Sequence, residues 1–151
     1  MEWIFVAILI ISIIHVTEEY FGGFVEQMKR FVPELDLSNF ASVNMMFIAL
    51  GFISVIVGSA SLIYSLSIAA LIFINAFFHI GGAIQLKGYS AGLISALLLY
   101  IPVSIYAYYY YWISGALTQT DVILSIVLGA IWMIIAFVHQ FIQISIKKVE
   151  T

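Results

Sequence analysis

Long and almost unbroken apolar runs are the feature that most constrains how this chain can fold. A helix needs about 20 apolar residues to cross a bilayer, and five runs approach or exceed that length, near residues 3–20, 41–64, 66–86, 91–112 and 121–146. The chain is 64% hydrophobic and 9% charged, and a small water-soluble fold cannot bury that much apolar surface. The sequence therefore predicts an all-α integral membrane bundle of about five transmembrane helices, with a kink at Pro102 in the fourth.

The segment between the first two runs, residues 21–37, has a different pattern. Its apolar residues recur at helical spacing, and polar residues such as Glu26 and Lys29 lie mostly between them. This spacing is typical of an amphipathic helix that lies in the membrane interface and ends at Pro33. A short re-entrant or irregular loop is the alternative. No repeat or linker divides the sequence, so we expect a single transmembrane helical domain over residues 1–151.

The basic residues predict an orientation in the membrane. If the chain crosses five times, all of its basic residues fall on one face, namely Lys29, Arg30, Lys87, Lys147 and Lys148. Cytoplasmic loops carry an excess of lysine and arginine. The pattern therefore indicates a multi-pass protein with its N-terminus outside and its C-terminus in the cytoplasm. Four or six crossings are the alternatives, and four would break this pattern.

Ionisable residues within the predicted helices indicate where chemistry can occur. Polar groups at membrane depth are costly and usually face the interior of a bundle. His79 and His139 each precede a lysine at a helix end by eight residues, or about 12 Å. His15, Glu18 and Glu19 occupy the last turns of helix 1, which ends on the same side. We therefore expect three helices to bring these side chains into one pocket near the cytoplasmic leaflet.

The residue types in this predicted pocket favour a divalent metal ion. His15 shares a helix face with Glu18 and Glu19, and Asn75 shares one with His79. Imidazole and carboxylate groups suit Zn²⁺, Fe²⁺ or Mn²⁺, and a second glutamate can balance charge or act as acid or base. Structural histidines and interfacial acids are the simpler alternative. The candidate ligands are His15, Glu18, Glu19, His79 and His139, and the candidate catalytic groups are Glu18, Glu19 and Asn75.

Three short motifs follow one another along the chain: His15-Val16-Thr17-Glu18-Glu19, Asn75-Ala76-Phe77-Phe78-His79 and Lys87-Gly88-Tyr89-Ser90-Ala91-Gly92. In this order they resemble the motifs of the HXXEE-domain family of small membrane proteins. The third motif of that family is an Arg-x-Tyr-Ser-Pro-Gly turn, so Lys87 and Ala91 are departures here. Lysine lacks the bidentate contact that arginine makes to phosphate or carboxylate. The resemblance covers about residues 15–92 and implies a polar, enzyme-like constellation without a settled activity.

The third motif falls in the predicted loop between helices 3 and 4, close to His79. Lys87, Tyr89 and Ser90 are therefore candidates for holding a polar substrate headgroup at the cytoplasmic mouth of the pocket. Backbone N–H groups at the start of the next helix can also receive an anion. A tight turn with a lysine that follows the positive-inside rule is the alternative.

The leading functional hypothesis is a membrane-embedded metal-dependent enzyme, hydrolase-like, that acts on a lipid or other hydrophobic substrate. An iron-dependent oxidative enzyme and a b-type haem protein with ligands from helices 3 and 5 are alternatives. A non-catalytic proton or ion relay, or a structural subunit of a membrane complex, is a further one. The net charge of −3 gives no reason to expect a nucleic-acid partner. The lipid bilayer is the expected partner, and the sequence leaves the oligomeric state open.

Overall fold

The computed structural model describes residues 2–150, and the side chains through residue 148. Between residues 2 and 150 it contains helices, turns and no strand, which confirms the all-α prediction. A 3₁₀ turn (Gly58–Ser61) joins α3 to α4. The helices are α1 (Trp3–Phe21), α2 (Phe24–Met28), α3 (Leu37–Val57), α4 (Leu62–Leu86), α5 (Leu93–Ile113) and α6 (Gln119–Glu150).

Within the described residues, four helical segments are long and apolar enough to cross a membrane: α1, the continuous stretch Leu37–Leu86, α5 and α6. No more than 33% of the most apolar window of each segment is buried within the chain. The outward faces carry large apolar side chains such as Met45, Ile84 and Phe141. Because water would make this exposed apolar surface costly, the fold supports a membrane protein.

The stretch Leu37–Leu86 folds back on itself at Gly58. This glycine has φ 53° and ψ −136°, a backbone conformation that residues with a Cβ rarely adopt. After the turn, the Ser65 hydroxyl donates to the Gly58 carbonyl at 2.8 Å and the Tyr64 hydroxyl donates to the Leu50 carbonyl at 3.1 Å. The helix boundary predicted between residues 64 and 66 is therefore wrong by several residues, because the turn forms at Gly58 and Ser65 lies within α4.

The segment 21–37 contains less helix than its pattern predicts. Between α1 and α3, the described helix is Phe24–Met28, and Gly23, which has φ 73°, precedes it. Turns follow on both sides of Pro33, since proline cannot continue a helix that precedes it. Lys29 and Glu26 form an exposed ion pair of 2.7 Å. The location of this segment in the membrane interface stays a prediction.

Helix α5 contains a π-helical turn, Ala96–Tyr100, immediately before Pro102. Proline has no N–H, and its ring clashes with the carbonyl four residues earlier, which here belongs to Leu98. The wider turn accommodates both effects without breaking the helix. The kink predicted at Pro102 therefore takes the form of a π turn, and it leaves Tyr100 buried toward α1.

Small residues and hydrogen bonds between helices hold α4 in the middle of the bundle. Gly129 of α6 lies so close to α4 that an added Cβ would be 2.6 Å from Ala70 Cβ. The Ser104 hydroxyl of α5 donates to the Ala69 carbonyl at 2.8 Å, and the Trp132 indole donates to Ser67 at 3.1 Å. Such contacts replace the hydrophobic driving force that lipid cannot provide between helices.

A polar clamp joins the start of α3 to the end of α6. Asp36 caps α3 by accepting from the Asn39 N–H at 3.0 Å, and it also accepts from Lys147 Nζ at 2.5 Å. Lys148 pairs with Glu34 at 2.8 Å. The hydrogen bond from Lys147 lowers the pKa of Asp36, and that from Lys148 lowers the pKa of Glu34. The clamp therefore fixes α6 against α3 at the end that carries these lysines.

We expect the clamp to make stability depend on acid pH. A carboxyl whose pKa is lowered by folding adds stability above its unfolded pKa, about 3.9 for aspartate, and that stability is lost as the pH falls through the folded value. Asp36→Asn keeps a capping side chain but removes the charge, so its unfolding free energy should fall less with acid than that of the wild type. Asp36→Ala should lose about 1 kcal/mol more at neutral pH.

Equilibrium unfolding in detergent micelles, followed by circular dichroism over a pH series, measures both effects. Glu26→Gln is the matched control because, among the described residues, Glu26 forms its ion pair with the neighbouring Lys29 and not with α6. Identical acid dependence of the wild type and Asp36→Asn would contradict a stabilising role of the Asp36 charge.

A candidate metal centre formed by two histidines and a glutamate

Three buried side chains from α1 and α4 meet at a single point. His15 Nε2 lies 3.1 Å from His79 Nε2, Glu19 Oε1 lies 3.3 Å from His79 Nε2, and Glu19 Oε1 lies 3.6 Å from His15 Nε2. Ligand atoms bound at about 2.0–2.1 Å to a tetrahedral ion are about 3.3–3.4 Å apart. The three atoms therefore have nearly the spacing of one face of a coordination tetrahedron.

The buried stripe of α1 explains why two of these groups point inward together. Ile4, Phe5, Ile8 and Ser12 face the rest of the bundle, and the same stripe continues to His15 and Glu19. These positions recur at three- to four-residue spacing, which keeps them on one side of an α-helix. The apolar part of the stripe packs the helix, so its last two turns carry an imidazole and a carboxylate into the interior.

The His15 ring is held from two sides. Its Nδ1 lies 2.8 Å from the Ser95 hydroxyl, and the Tyr100 ring stacks on it with centroids 4.2 Å apart and an angle of 31°. Ser95 and Tyr100 lie at the two ends of the π turn of α5. The kinked start of α5 thus supplies both contacts that orient the imidazole.

Gly92 covers both imidazoles with its backbone. An added Cβ would lie 2.6 Å from His79 Cε1 and 2.8 Å from His15 Cε1, and the residue has φ +90°. Any other residue would be strained in its backbone and would collide with the rings. We name residues 87–92 the strap, because this segment crosses the histidine pair on its way from α4 to α5.

Glu18 does not join the three-residue group. Its Oε1 accepts from the Tyr89 hydroxyl at 2.7 Å and from the Ile94 N–H at 3.0 Å, and its Oε2 accepts from the Ser95 N–H at 2.7 Å. Consecutive residues of an α-helix point about 100° apart, and here Glu18 faces the start of α5 while Glu19 faces the imidazoles. The anion expected at the start of this helix is the carboxylate of Glu18 itself.

His139 also lies outside the group, which corrects the prediction that all three histidines share a pocket. Its Nε2 is 2.7 Å from the Ser42 hydroxyl and 3.1 Å from Gln143 Nε2. Helix α6 packs on another face of α4, where Phe137 contacts Phe78. Because Phe78 and His79 point about 100° apart, the residues of α6 meet a different side of α4.

Of the strap residues proposed as headgroup contacts, Tyr89 is bonded to another side chain and Ser90 is buried. Tyr89 donates to Glu18, and both burial and the neighbouring carboxylate raise the pKa of this phenol. Ser90 is 1% exposed, and its hydroxyl lies 2.9 Å from where Gly82 would carry a Cβ. Lys87 is exposed at the end of α4 with φ 52°. Because Ser90 is buried and Tyr89 is bonded to Glu18, the exposed Lys87 is the strap residue still available to a headgroup.

Asn75 lies one turn before His79 and close to His15. The two residues line a small cleft between α1, α3 and α4, with a cavity volume of about 10 Å³. The Asn75 Oδ1 is buried and has no hydrogen-bond partner within the described part of the chain. Of the predicted catalytic groups, Asn75 therefore lies beside the candidate metal centre with an unused polar atom.

Several contacts of the site were not predicted from the sequence. Ser95 and Tyr100 hold His15, and Gln27 accepts from the Ala91 N–H at 2.9 Å. Gly22 lets the strap approach α1, since an added Cβ there would lie 2.9 Å from Ala91 Cβ. The small size of Gly22 and Ala91 was the sequence signal for this close approach. Small residues also occur in ordinary turns, so the signal did not identify the contact.

A family model described as a protein of unknown function with HXXEE motif matches residues 3–107. The chain belongs to the HXXEE family. The resemblance of its three motifs to that family is thereby confirmed, and the matched region contains the three-residue group and the strap. His139 lies beyond the matched region of this HXXEE protein. No curated protein and no solved structure matches the chain.

We expect Gly92→Ala to separate the two imidazoles. The change combines a strained positive φ, which costs about 1–2 kcal/mol, with overpacking, which costs about 1–3 kcal/mol. Gly115→Ala is the matched control because Gly115 has φ +73° and nothing within 4 Å of an added Cβ. Unfolding free energies in detergent micelles should fall more for Gly92→Ala than for Gly115→Ala. Equal losses would show that the contact of Gly92 with the two imidazole rings does not limit which residue can occupy this position.

Proposed function

We propose that this HXXEE protein is a membrane-embedded, metal-dependent enzyme, hydrolase-like, that acts on a lipid or other hydrophobic substrate. His15, Glu19 and His79 would bind the divalent ion. The observation that carries the proposal is the separation of their three ligand atoms, 3.1–3.6 Å. Two histidines and one glutamate with an open fourth position are typical of catalytic zinc sites, and Fe²⁺ or Mn²⁺ accepts the same ligand types.

The buried charge of Glu19 supports a bound cation. The residue is 4% exposed, and within the described residues its Oε2 has no hydrogen-bond partner. A buried carboxylate with one oxygen left without a partner is costly, whereas a dication beside it would compensate the charge. Two neutral imidazoles and one carboxylate leave a net positive charge on such an ion, which favours an anionic or readily deprotonated fourth ligand. A divalent ion there would supply Lewis acidity to a water and to a substrate carbonyl.

The roles of the chain's own residues follow from their unused atoms. Glu19 Oε2 is free to accept a proton, and Asn75 Oδ1 is free to accept a hydrogen bond from a water or a substrate. The cleft beside Asn75 and His15 has about the volume that a single water needs. Glu18, by contrast, uses both carboxylate oxygens on the start of α5. The acid–base role is therefore assigned to Glu19 and not to Glu18.

The membrane arrangement proposed here has five crossings, an outside N-terminus and a cytoplasmic C-terminus. The fold-back at Gly58 supports it, because it divides the stretch Leu37–Leu86 into two antiparallel helices. The clamp brings Lys147 and Lys148 to the start of α3, and Lys87 is in the strap beside the candidate metal centre. With these lysines on the cytoplasmic side, a substrate would approach from the inner leaflet, and the chain would act as one transmembrane domain.

Two alternatives use the same residues differently. A hydrogen bond between the imidazoles is compatible with their 3.1 Å separation, so a metal-free, non-catalytic proton relay is the second candidate. Iron-dependent oxidation would use the same three ligands and differs by the identity of the ion. A haem held by His15 and His79 does not fit, because its macrocycle must lie between the two ligating nitrogens, which here are only 3.1 Å apart. A haem held by His79 and His139 does not fit either, because His139 bonds to Ser42 instead of meeting His79.

Elemental analysis tests the metal. We expect the wild-type protein, purified in detergent without chelators, to retain about one first-row divalent ion per chain. His15→Ala, Glu19→Gln and His79→Ala should each lose most of it, because each removes one of three ligands. His139→Ala is the matched control and should keep the wild-type content. A metal-free wild type, or unchanged content in the three ligand variants, would exclude the metal centre and favour the relay.

Turnover tests the enzymatic part. The metal-loaded protein is incubated with a polar lipid extract, and hydrolysis products are followed by mass spectrometry. Asn75→Ala should keep its metal but lose about 100-fold in rate, the order expected when a positioning contact is lost. Ser125→Ala is the control, since the Ser125 hydroxyl donates to the Val122 carbonyl within α6. If wild type and Glu19→Gln consume the lipids equally, the hydrolase assignment fails.

A further inference from the structure

We propose that Glu18 and Ser95 are positioning residues that fix which nitrogen of His15 carries the proton. In this arrangement Glu18 holds the backbone at the start of α5, and the Ser95 hydroxyl accepts a hydrogen bond from His15 Nδ1–H. His15 Nε2 then presents its lone pair to the Nε2–H group of His79. The proposal concerns the metal-free protein as well, so it goes beyond the proposed function and does not require it.

The contacts of Ser95 determine the direction of the hydrogen bond. Its Oγ lies 2.8 Å from His15 Nδ1 and 3.3 Å from the Gly92 carbonyl oxygen. A hydroxyl has one proton to donate, and a carbonyl can only accept. Both contacts are satisfied only if Ser95 donates to Gly92 and accepts from His15. A neutral His15 then carries its proton on Nδ1 and none on Nε2.

The hydrogen-bond partners of His79 indicate the same tautomer for His15. Its Nδ1 is buried and has no hydrogen-bond partner in the described chain, so a proton there would be an unsatisfied buried donor. A neutral His79 therefore carries its proton on Nε2, which is 3.1 Å from His15 Nε2 and 3.3 Å from Glu19 Oε1. Two N–H groups cannot face each other at this distance. His15 Nε2 must consequently be the acceptor.

Glu18 places Ser95 where this hydrogen bond can form. One carboxylate oxygen accepts from the Ser95 N–H at 2.7 Å, and the other accepts from the Ile94 N–H and the Tyr89 hydroxyl. A carboxylate also interacts favourably with the positive end of a helix. Both oxygens are required, because the amide of a glutamine would direct its NH₂ group at one of the backbone N–H groups.

The two adjacent glutamates thus have different tasks. Glu19 contacts the imidazoles directly, and Glu18 acts on His15 only through the backbone and hydroxyl of Ser95. Orienting partners of metal-ligating histidines work in this way, and their loss typically weakens metal affinity about 10- to 100-fold. The same order of loss is expected here for Ser95→Ala if a metal is bound.

The test is the side-chain ¹⁵N chemical shift of His15 in the metal-free full-length chain. The protein is labelled with ¹⁵N-histidine, treated with chelator and studied in detergent micelles, and the His15 signals are those lost in His15→Gln. At a pH at which the His15 imidazole is neutral, we expect the wild type to show a proton on Nδ1 alone. Ser95→Ala and Glu18→Gln should both give a mixture with the Nε2–H form, whereas Ser95→Thr keeps the hydroxyl and should restore the wild-type pattern.

Ser104→Ala is the matched control, since it removes a buried hydroxyl of α5 that donates to the Ala69 carbonyl and not to His15. Its His15 shifts should equal those of the wild type. If His15 of the wild type carries its proton on Nε2, that spectrum alone overturns the proposal. Unchanged shifts in Ser95→Ala would overturn it for Ser95, and unchanged shifts in Glu18→Gln would overturn it for Glu18.

Chelator competition for Zn²⁺ separates this proposal from the proposed function. If the wild type binds no metal while Ser95→Ala still changes the His15 shifts, the metal-dependent function fails and the positioning role stands. If the wild type binds metal and Ser95→Ala leaves both the shifts and the affinity unchanged, the positioning role fails and the metal centre stands.

Discussion

The contact between two imidazoles and one carboxylate, away from water, is the constraint on which the rest of the site depends. His15, Glu19 and His79 are at most 4% exposed, and an environment of low polarity makes every unsatisfied polar atom among them costly. The surrounding elements therefore have to supply partners for these atoms or restrict their positions. Helices α1 and α4 bring the three groups together, and the start of α5 with the strap encloses them.

The enclosure explains several features that are unusual in a membrane helix. A π turn at Ala96–Tyr100 is a local departure from α geometry, and such turns are frequent at functional sites. Here it results from Pro102 and places Tyr100 on the His15 ring. Gly92 allows the backbone to lie against both histidines, and Glu18 ties the first N–H groups of α5 to the end of α1. The π turn and Gly92 thus contact His15 or His79, and Glu18 contacts Ser95, which is hydrogen-bonded to His15.

Much of the site was predictable because it depends on spacing within a single helix. The pair His15 and Glu19 lies at i,i+4, and Asn75 and His79 have the same spacing, so each pair shares a face in any α-helix. The depth of these residues below the helix ends was also predictable from residue counts. The two errors among the predicted metal ligands concerned the direction in which a side chain points. Glu18 is at the right depth but points to α5, and His139 belongs to a helix that meets another face of α4.

By itself, the sequence determined that the chain is helical and suited to lipid, and it identified the polar residues that interrupt the apolar runs, because hydropathy and residue spacing are local properties. Only the tertiary structure decided which of these residues meet. The rotation of each helix about its axis results from packing over its whole length, as the close approach of Gly129 to Ala70 illustrates. That rotation places Glu19 beside both imidazoles. It also directs Glu18 to the backbone N–H groups of α5 and His139 to the Ser42 hydroxyl.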